Sequence, residues 1–255
     1  MRKDAEKKRE TGRSFGQAAD AYRDSEVHRR GSDLDRLADW CGGADRALDV
    51  ATGAGHTAGA LGRVGISDVV ASDVSPAMVQ TATHEYDGLG GVVADAESLP
   101  FDDAAFDAVT CRIAAHHFPG PVGFVNEVGR VLTPGGTFAL ADNVAPEDDD
   151  LAAFINRVDA LRDPTHVEAY PRSQWETWLS EAGFRLERTE TVEKRLAFDP
   201  WVDRLSPSPE VRARVESLLA EADDAAKTHF EIETADGSVE SFTHRAALIR
   251  AQKPA

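Results

Sequence analysis

The chain has 255 residues, 42% of them hydrophobic, and a formal net charge of -17. That length suits one α/β domain with a generous core and an insertion. No apolar run reaches the roughly 18 to 20 residues of a membrane span, and the acidic balance disfavours nucleic acid, whose phosphates require a basic face. The opening segment MRKDAEKKRETGR is charged and lacks the apolar stretch of a signal peptide, so a frayed lead-in and a cytoplasmic location are expected. After its first ten residues the chain uses lysine only at Lys194, Lys227 and Lys253, a pattern that reads as adaptation to high salt. Cys41 and Cys111 form no CxxC pair, no histidine cluster has zinc-ligand spacing, and both cysteines are expected to be buried, with no metal site.

In chain order, Phe15 to Trp40 is amphipathic and helical, with Phe15, Ala18, Ala19 and Tyr22 on one face. From Ala44 to Leu140, apolar runs then alternate with amphipathic stretches, the βαβα rhythm of a parallel sheet covered on both faces. Strands are expected at Ala47 to Ala51, Asp68 to Asp73, Gly91 to Ala94, Ala105 to Cys111 and Thr137 to Ala141. Helices fall at His56 to Val64, Ser75 to Tyr86 and Val122 to Leu132, with Ser75 as N-cap and Pro76 at the first helical position. Beyond the fifth strand come helices at Asp148 to Asp163 and Arg172 to Ala182, a long strand at Phe184 to Phe198, and a helical stretch from Pro200 to Lys227. Phe230 to Ile232 and Val239 to Phe242 flank an Asp236-Gly237 hairpin turn, and Ala246 to Arg250 forms a last strand. The organisation expected is a helical lead-in over residues 1–43 and one domain over 44–255, with a helical and hairpin cap at about 148–182 and 200–243.

ALDVATGAGHTA leaves a buried strand and enters a helix, and Gly53 and Gly55 permit a sharp bend and the close approach of a ligand. The amides at the helix start favour a negative group. Gly53, Gly55 and Ala58 satisfy the dinucleotide fingerprint and Asp73 stands where its ribose-binding acid belongs, so an NAD-dependent oxidoreductase is one reading. Asp49, Asp73 and Asp95 favour another. They follow three successive strands at the sheet edge where ligands of open α/β folds bind: Asp49 can accept from a ligand ammonium, Asp73 can hold both ribose hydroxyls, and Asp95 can accept an adenine amino group beside the Ala96 N–H.

These residues, with FGQAADAY, SDVSPAMVQTA, ADAESLPFDDAAFDAVTCRIAAHHF and VGRVLTPGGTFALAD, resemble a class I S-adenosylmethionine-dependent methyltransferase. The branch is similar to the ubiquinone and menaquinone biosynthesis C-methyltransferases (methyltransferase type 11). The resemblance implies a Rossmann-like, doubly wound α/β fold with a seven-stranded, mostly parallel sheet, an antiparallel last strand and a helical cap. Ala51 stands where the family motif usually has its first glycine. By resemblance Asp49, Ala51, Gly53, Gly55, Asp73, Val74, Met78, Asp95, Ala96, Glu97 and Arg112 line an S-adenosylmethionine site. A protein that binds this cofactor without turnover is a third reading.

Methyl transfer is an in-line displacement that chiefly needs positioning and exclusion of water. Where the acceptor is an oxygen or carbon acid a base must remove a proton, and His116 just after the fourth strand is the expected base. Tyr22, His117, Asp142, Asn143, His166 and Tyr170 are candidates for the pocket of a small-molecule acceptor, with a monomer and a homodimer both open. Trp175, Trp178 and Trp201 read as packing anchors of the cap, and Asp148-Asp149-Asp150 as a solvated helix start.

Overall fold

A computed structural model of the chain describes residues 2–17, 19–24 and 29–255. Ala18, one of the residues assigned above to an amphipathic face, lies outside the described residues. The charged opening is not frayed: Arg2–Gln17 forms helix α1, followed by α2 (Ala19–Arg23) and α3 (Ser32–Trp40).

The alternating segment forms β1 (Arg46–Val50), α4 (His56–Arg63), β2 (Asp68–Asp73), α5 (Pro76–Glu85), β3 (Gly90–Val93), β4 (Phe106–Arg112), α6 (Pro121–Val131) and β5 (Leu132–Asn143). Ser75 caps α5 through Met78 N, with Pro76 inside the first turn. Beyond β5 follow α7 (Asp149–Arg162), α8 (Arg172–Glu181), β6 (Arg185–Ala197), α9 (Phe198–Asp203), α10 (Pro209–Ala220), α11 (Asp224–His229), β7 (Glu233–Ala235) and β8 (Ser238–Gln252). The Asp148 carboxylate starts α7 by accepting from the Asp150 and Leu151 amides, the local role expected for that acidic run.

The expected helix from Pro200 to Lys227 is three helices, because Ser206 turns left-handed at φ 49° and Ser208 and Asp223 open new helices as N-caps. The expected hairpin turn is present, with Asp236 and Gly237 at φ 51° and 84°, the left-handed pair that a tight two-residue turn needs. Its arms are shifted, and its second arm and the expected last strand are one strand. Thr243, His244 and Arg245 bridge the two by pairing with Arg195, Lys194 and Glu193.

The sheet order is β3-β2-β1-β4-β5-β8-β6, parallel from β3 to β5 and antiparallel across β8, and short β7 adds an eighth strand against β8. Alternate strand residues face opposite layers, as the two-residue side-chain period requires. Leu48, Val50, Val109, Phe138 and Leu140 pack with Phe124 of α6 and Trp175 of α8. Ala47, Ala71, Ala108, Ala139 and Ala141 point the other way, to Leu37 and Leu61 of α3 and α4. Small side chains on that face let those helices sit close to the sheet, which fixes the loop between β1 and α4. Ile155, Trp201, Val202 and Phe242 form a separate core, so Trp201 anchors packing there as expected, whereas Trp175 and Trp178, edge to face, belong to the core of the main sheet. Among the described residues no helix is long and apolar enough to cross a membrane.

Candidate functional site

The carboxyl ends of β1, β2 and β4 converge on one cavity, open on one side to solvent. Ala51, Gly53, Asp73, Val74, Met78 and Arg112, all named above as candidates, line it. A second, smaller space shares the Thr11, Ala51, Val74, His117 and Phe118 walls and extends to Asp95, Ala96 and Glu97.

The loop after β1 bends through Ala51 at φ 52° and Gly53 at φ 53°. A Cβ on Gly53 would meet nothing within 4 Å, so its bare face looks into the cavity. Gly55 departs from expectation. At φ 86°, its missing Cβ would stand 2.7 Å from Ala82 Cβ and 2.9 Å from Ala82 Cα, so it faces helix α5 and allows the two helices to close up. After β4, Ile113 is also left-handed, at φ 53°, and lines the cavity. A branched side chain there costs about 1 to 3 kcal/mol, strain of the kind that collects at binding sites.

The three strand-end carboxylates have different surroundings. Asp73 Oδ2 accepts from Gly53 N at 3.0 Å and Oδ1 from Ser75 N at 2.8 Å, while burial pushes its pKa up to about 6. Asp95 Oδ1 accepts from Glu97 N at 3.0 Å, and Lys8 Nζ of α1 lies 2.7 Å from both Asp95 Oδ2 and Glu97 Oε2. The role expected for Asp49, meeting a ligand ammonium, is corrected. Its carboxylate is 1% exposed and outside both linings, with one oxygen accepting from Thr52 Oγ1 at 2.6 Å and the other from Thr110 Oγ1 at 2.7 Å. A carboxylate buried this deeply needs such donors, so it braces the glycine loop from beneath. Burial pushes its pKa up to about 6.

Arg112 reaches the cavity and is gripped by Asp33 of α3, with Nε to Oδ2 at 3.1 Å and Nη2 to Oδ1 at 3.3 Å. Burial opposes charge on Asp33, but Arg112 and Lys194 outweigh it and hold its carboxyl below its ordinary value. Asp33 had no sequence signal, because the pairing spans 79 positions. His56 was read only as a helix start, yet it lines the cavity. Its Nε2–H donates to the Tyr22 carbonyl at 3.2 Å and its Nδ1 accepts from the Tyr86 hydroxyl at 2.8 Å, which ties α2 to the glycine loop. Tyr22 lines the cavity as well, and burial pushes its phenol up to about 12.

Beside the cavity, under the cap, lies a buried histidine cluster. His116 donates both Nδ1–H and its backbone N–H to Asp142, at 2.6 and 2.8 Å. Burial opposes charge on this pair, yet each partner more than compensates for the other, so His116 is raised and Asp142 lowered from their ordinary values. The His117 ring lies 4.1 Å from that of His116, and burial with the neighbouring charge pushes it down to about 3. Its tautomer follows from a relay. Thr165 Oγ1 donates to Asp163 Oδ1 at 2.6 Å and so accepts from His117 Nδ1–H at 3.2 Å, which leaves Nε2 as the lone-pair nitrogen. His166 donates to Asn156 Oδ1 at 2.8 Å, and burial lowers it to about 4.

Of the proposed acceptor-pocket residues, Tyr22 and His117 line the main cavity. His116, Asp142 and His166 lie in the cluster behind it, and Asn143 and Tyr170 line neither space. Tyr170 packs instead against Trp178 at 4.8 Å. Cys41 and Cys111 are free and buried, and among the described residues no group of three or more His, Cys, Asp or Glu side chains is placed to hold a metal ion.

The methyltransferase domain model matches residues 48–140. The uncharacterized methyltransferase YcgJ of Bacillus subtilis (strain 168) is 34% identical over 247 residues, 94% of this chain and 97% of that protein. The crystal structure of YcgJ superposes with a TM-score of 0.83 at 33% identity, covering 88% of this chain and 98% of that one. A methyltransferase candidate solved from Bacillus halodurans C-125 gives 0.84 at 38% identity, covering 88% and 100%. A demethylmenaquinone methyltransferase of Beutenbergia cavernae is 36% identical over 102 residues, 40% of this chain and 42% of that protein. Taken with the strand order and the glycine loop, these likenesses decide against the nicotinamide reading: the chain belongs to the methyltransferase family whose cofactor is S-adenosylmethionine.

Proposed function

We propose that this enzyme methylates a small molecule whose accepting oxygen or carbon must first lose a proton, with quinol-like and phenolic compounds as the class to try first. One observation carries the reading: a histidine held by an aspartate, His116 with Asp142, stands under the cap beside the cofactor cavity. Such a pair orients the imidazole and stabilises the cation formed when it takes a proton. An acceptor with a free lone pair, such as a thioether, has no use for it. The partial likeness to a demethylmenaquinone methyltransferase supports a ring acceptor.

In this reading Asp73 holds the ribose hydroxyls, Asp95 and Ala96 meet the adenine, Gly53 gives the methionine portion room, and Arg112 lines the same cavity as a counter-charge for the methionine carboxylate. Bound there, the cofactor supplies an electrophilic methyl group. Tyr22 and the cap at about 148–182 and 200–243 shape the acceptor space and exclude water. The acidic surface is read as adaptation to high salt, checked by whether the melting temperature rises from low to molar salt. The central experiment is a labelled-methyl transfer assay over quinol, phenol, amine and thiol acceptors. Transfer to the first two, lost in His116→Ala while S-adenosylhomocysteine still binds, supports the reading; transfer only to amines or thiols, or full turnover in His116→Ala, ends it.

A further inference from the structure

Helix α1 closes over both spaces at the strand ends. Lys8, Thr11, Gly12, Phe15 and Gly16 recur at three- and four-residue intervals and so share one helix face. Lys8 bridges Asp95 and Glu97. A Cβ on Gly12 would stand 3.3 Å from Val74 Cγ1, and one on Gly16 would stand 2.9 Å from Ser75 Oγ, so the two glycines let the helix lie directly on the turn after Asp73. The Phe15 ring meets His117 at 5.0 Å and Tyr22 at 5.3 Å.

Thr11 is the polar residue on this face with nothing to bond. It is 7% exposed, lines both spaces, and its Oγ1 has no hydrogen-bond partner among the described residues. A helical threonine ordinarily returns its hydroxyl to the carbonyl four residues back, as Thr81, Thr83 and Thr177 do here to Ala77, Val79 and Ser173. Burying a hydroxyl without a partner destabilises the fold. Both spaces share Thr11 as a wall, one holding Asp73 and the other Asp95.

We propose that Thr11 is a cofactor-binding residue, its hydroxyl hydrogen-bonding the adenosine portion of S-adenosylmethionine where ribose joins adenine, so that α1 forms the roof of the cofactor site. The assignment to adenosine rests on the placement of ribose at Asp73 and adenine at Asp95 given above. It uses a polar atom of the roof that lacks a protein partner among the described residues, and it gives the glycines of α1 a reason to bring the helix so close.

The test is calorimetric binding of S-adenosylhomocysteine and 5′-methylthioadenosine to the full chain and to its Thr11→Val, Thr11→Ser and Asp73→Ala variants. Thr11→Val is expected to weaken both ligands about 3- to 10-fold, the usual worth of one hydrogen bond, while Thr11→Ser binds nearly as wild type. The ligand-free melting temperature of Thr11→Val should equal or exceed wild type, because an unpaired buried hydroxyl has been removed; a merely structural hydroxyl would lower it. Wild-type affinity in Thr11→Val with weakened binding in Asp73→Ala overturns the proposal alone. A loss in Thr11→Val for S-adenosylhomocysteine but not for 5′-methylthioadenosine overturns the adenosine contact. If neither Asp73→Ala nor Thr11→Val weakens binding, the placement of the cofactor itself is wrong.

Discussion

Asp142 receives His116 twice, through the ring at 2.6 Å and through the backbone at 2.8 Å, so one carboxylate at the end of β5 sets both the orientation of the imidazole and the start of the turn that carries it. The pair has a definite pH signature. His116, raised above its ordinary 6.5, contributes stability that is full below that value and is lost as pH rises through its folded pKa. Asp142, lowered from 3.8, contributes stability that is full above that value and is lost as pH falls through its folded pKa. Asp142→Asn should lower the His116 pKa in an NMR titration, flatten the stability profile on both flanks, and cost about 3 to 5 kcal/mol, the usual result of leaving one member of a buried pair alone. An unchanged His116 titration would separate the two residues in solution.

Cofactor affinity should depend on acid through Asp73. Burial raises its pKa to about 6, and only the ionised carboxylate accepts from two hydroxyls without surrendering an oxygen to a proton. Binding of S-adenosylhomocysteine is therefore expected to be level above about pH 7 and to weaken as pH falls through 6, with one proton taken up by the free enzyme. Calorimetry in buffers of different ionisation enthalpy counts that proton.

Two substitutions in the glycine loop should act in opposite directions. Ala51 is left-handed, which costs an L-residue about 1 to 2 kcal/mol, more than the added chain entropy of glycine. Ala51→Gly should therefore raise stability by about 0.5 to 1 kcal/mol. Gly55→Ala combines a left-handed residue with a methyl 2.9 Å from the Ala82 backbone and should cost about 2 to 4 kcal/mol. Thermal melts of the two variants against wild type check both signs.

The tautomer of His117 is a spectroscopic prediction. With Thr165 accepting from Nδ1–H, long-range proton–nitrogen spectra should show Nδ1 protonated and Nε2 bare at neutral pH. Thr165→Val removes the acceptor, and the ring should then redistribute towards the other tautomer. A wild-type spectrum with Nε2 protonated would break the relay from Asp163.

Much of the sheet was legible because the buried strands β1, β2 and β4 are written as short apolar runs, and aspartates at the ends of β1, β2 and the edge strand β3 mark where ligands bind. What stayed hidden depended on contacts distant in the chain. The Asp33 grip on Arg112 spans 79 positions and the Lys8 bridge to Asp95 spans 87, so neither leaves a local pattern. Asp49 shows the opposite limit. Its place in the loop motif was plain, but only the fold reveals that Thr52 and Thr110 take both its oxygens. The charged opening misled because charge was read as solvation, whereas Lys8 is pinned across the site and Gly12 and Gly16 seat the helix.

The position of β8 bears on how the molecule is assembled. It follows every other strand in the chain, yet it lies between β5 and β6, which do not pair with each other. A nascent chain that has not yet released Ser238–Gln252 holds β5 with one unpaired edge and β6 with no partner strand. Those exposed ladders are what foreign strands add to. The half of the sheet around β1 can pair during synthesis; the half that carries the cap waits for its middle strand, so the interval before β8 emerges is when this protein is most open to misassociation.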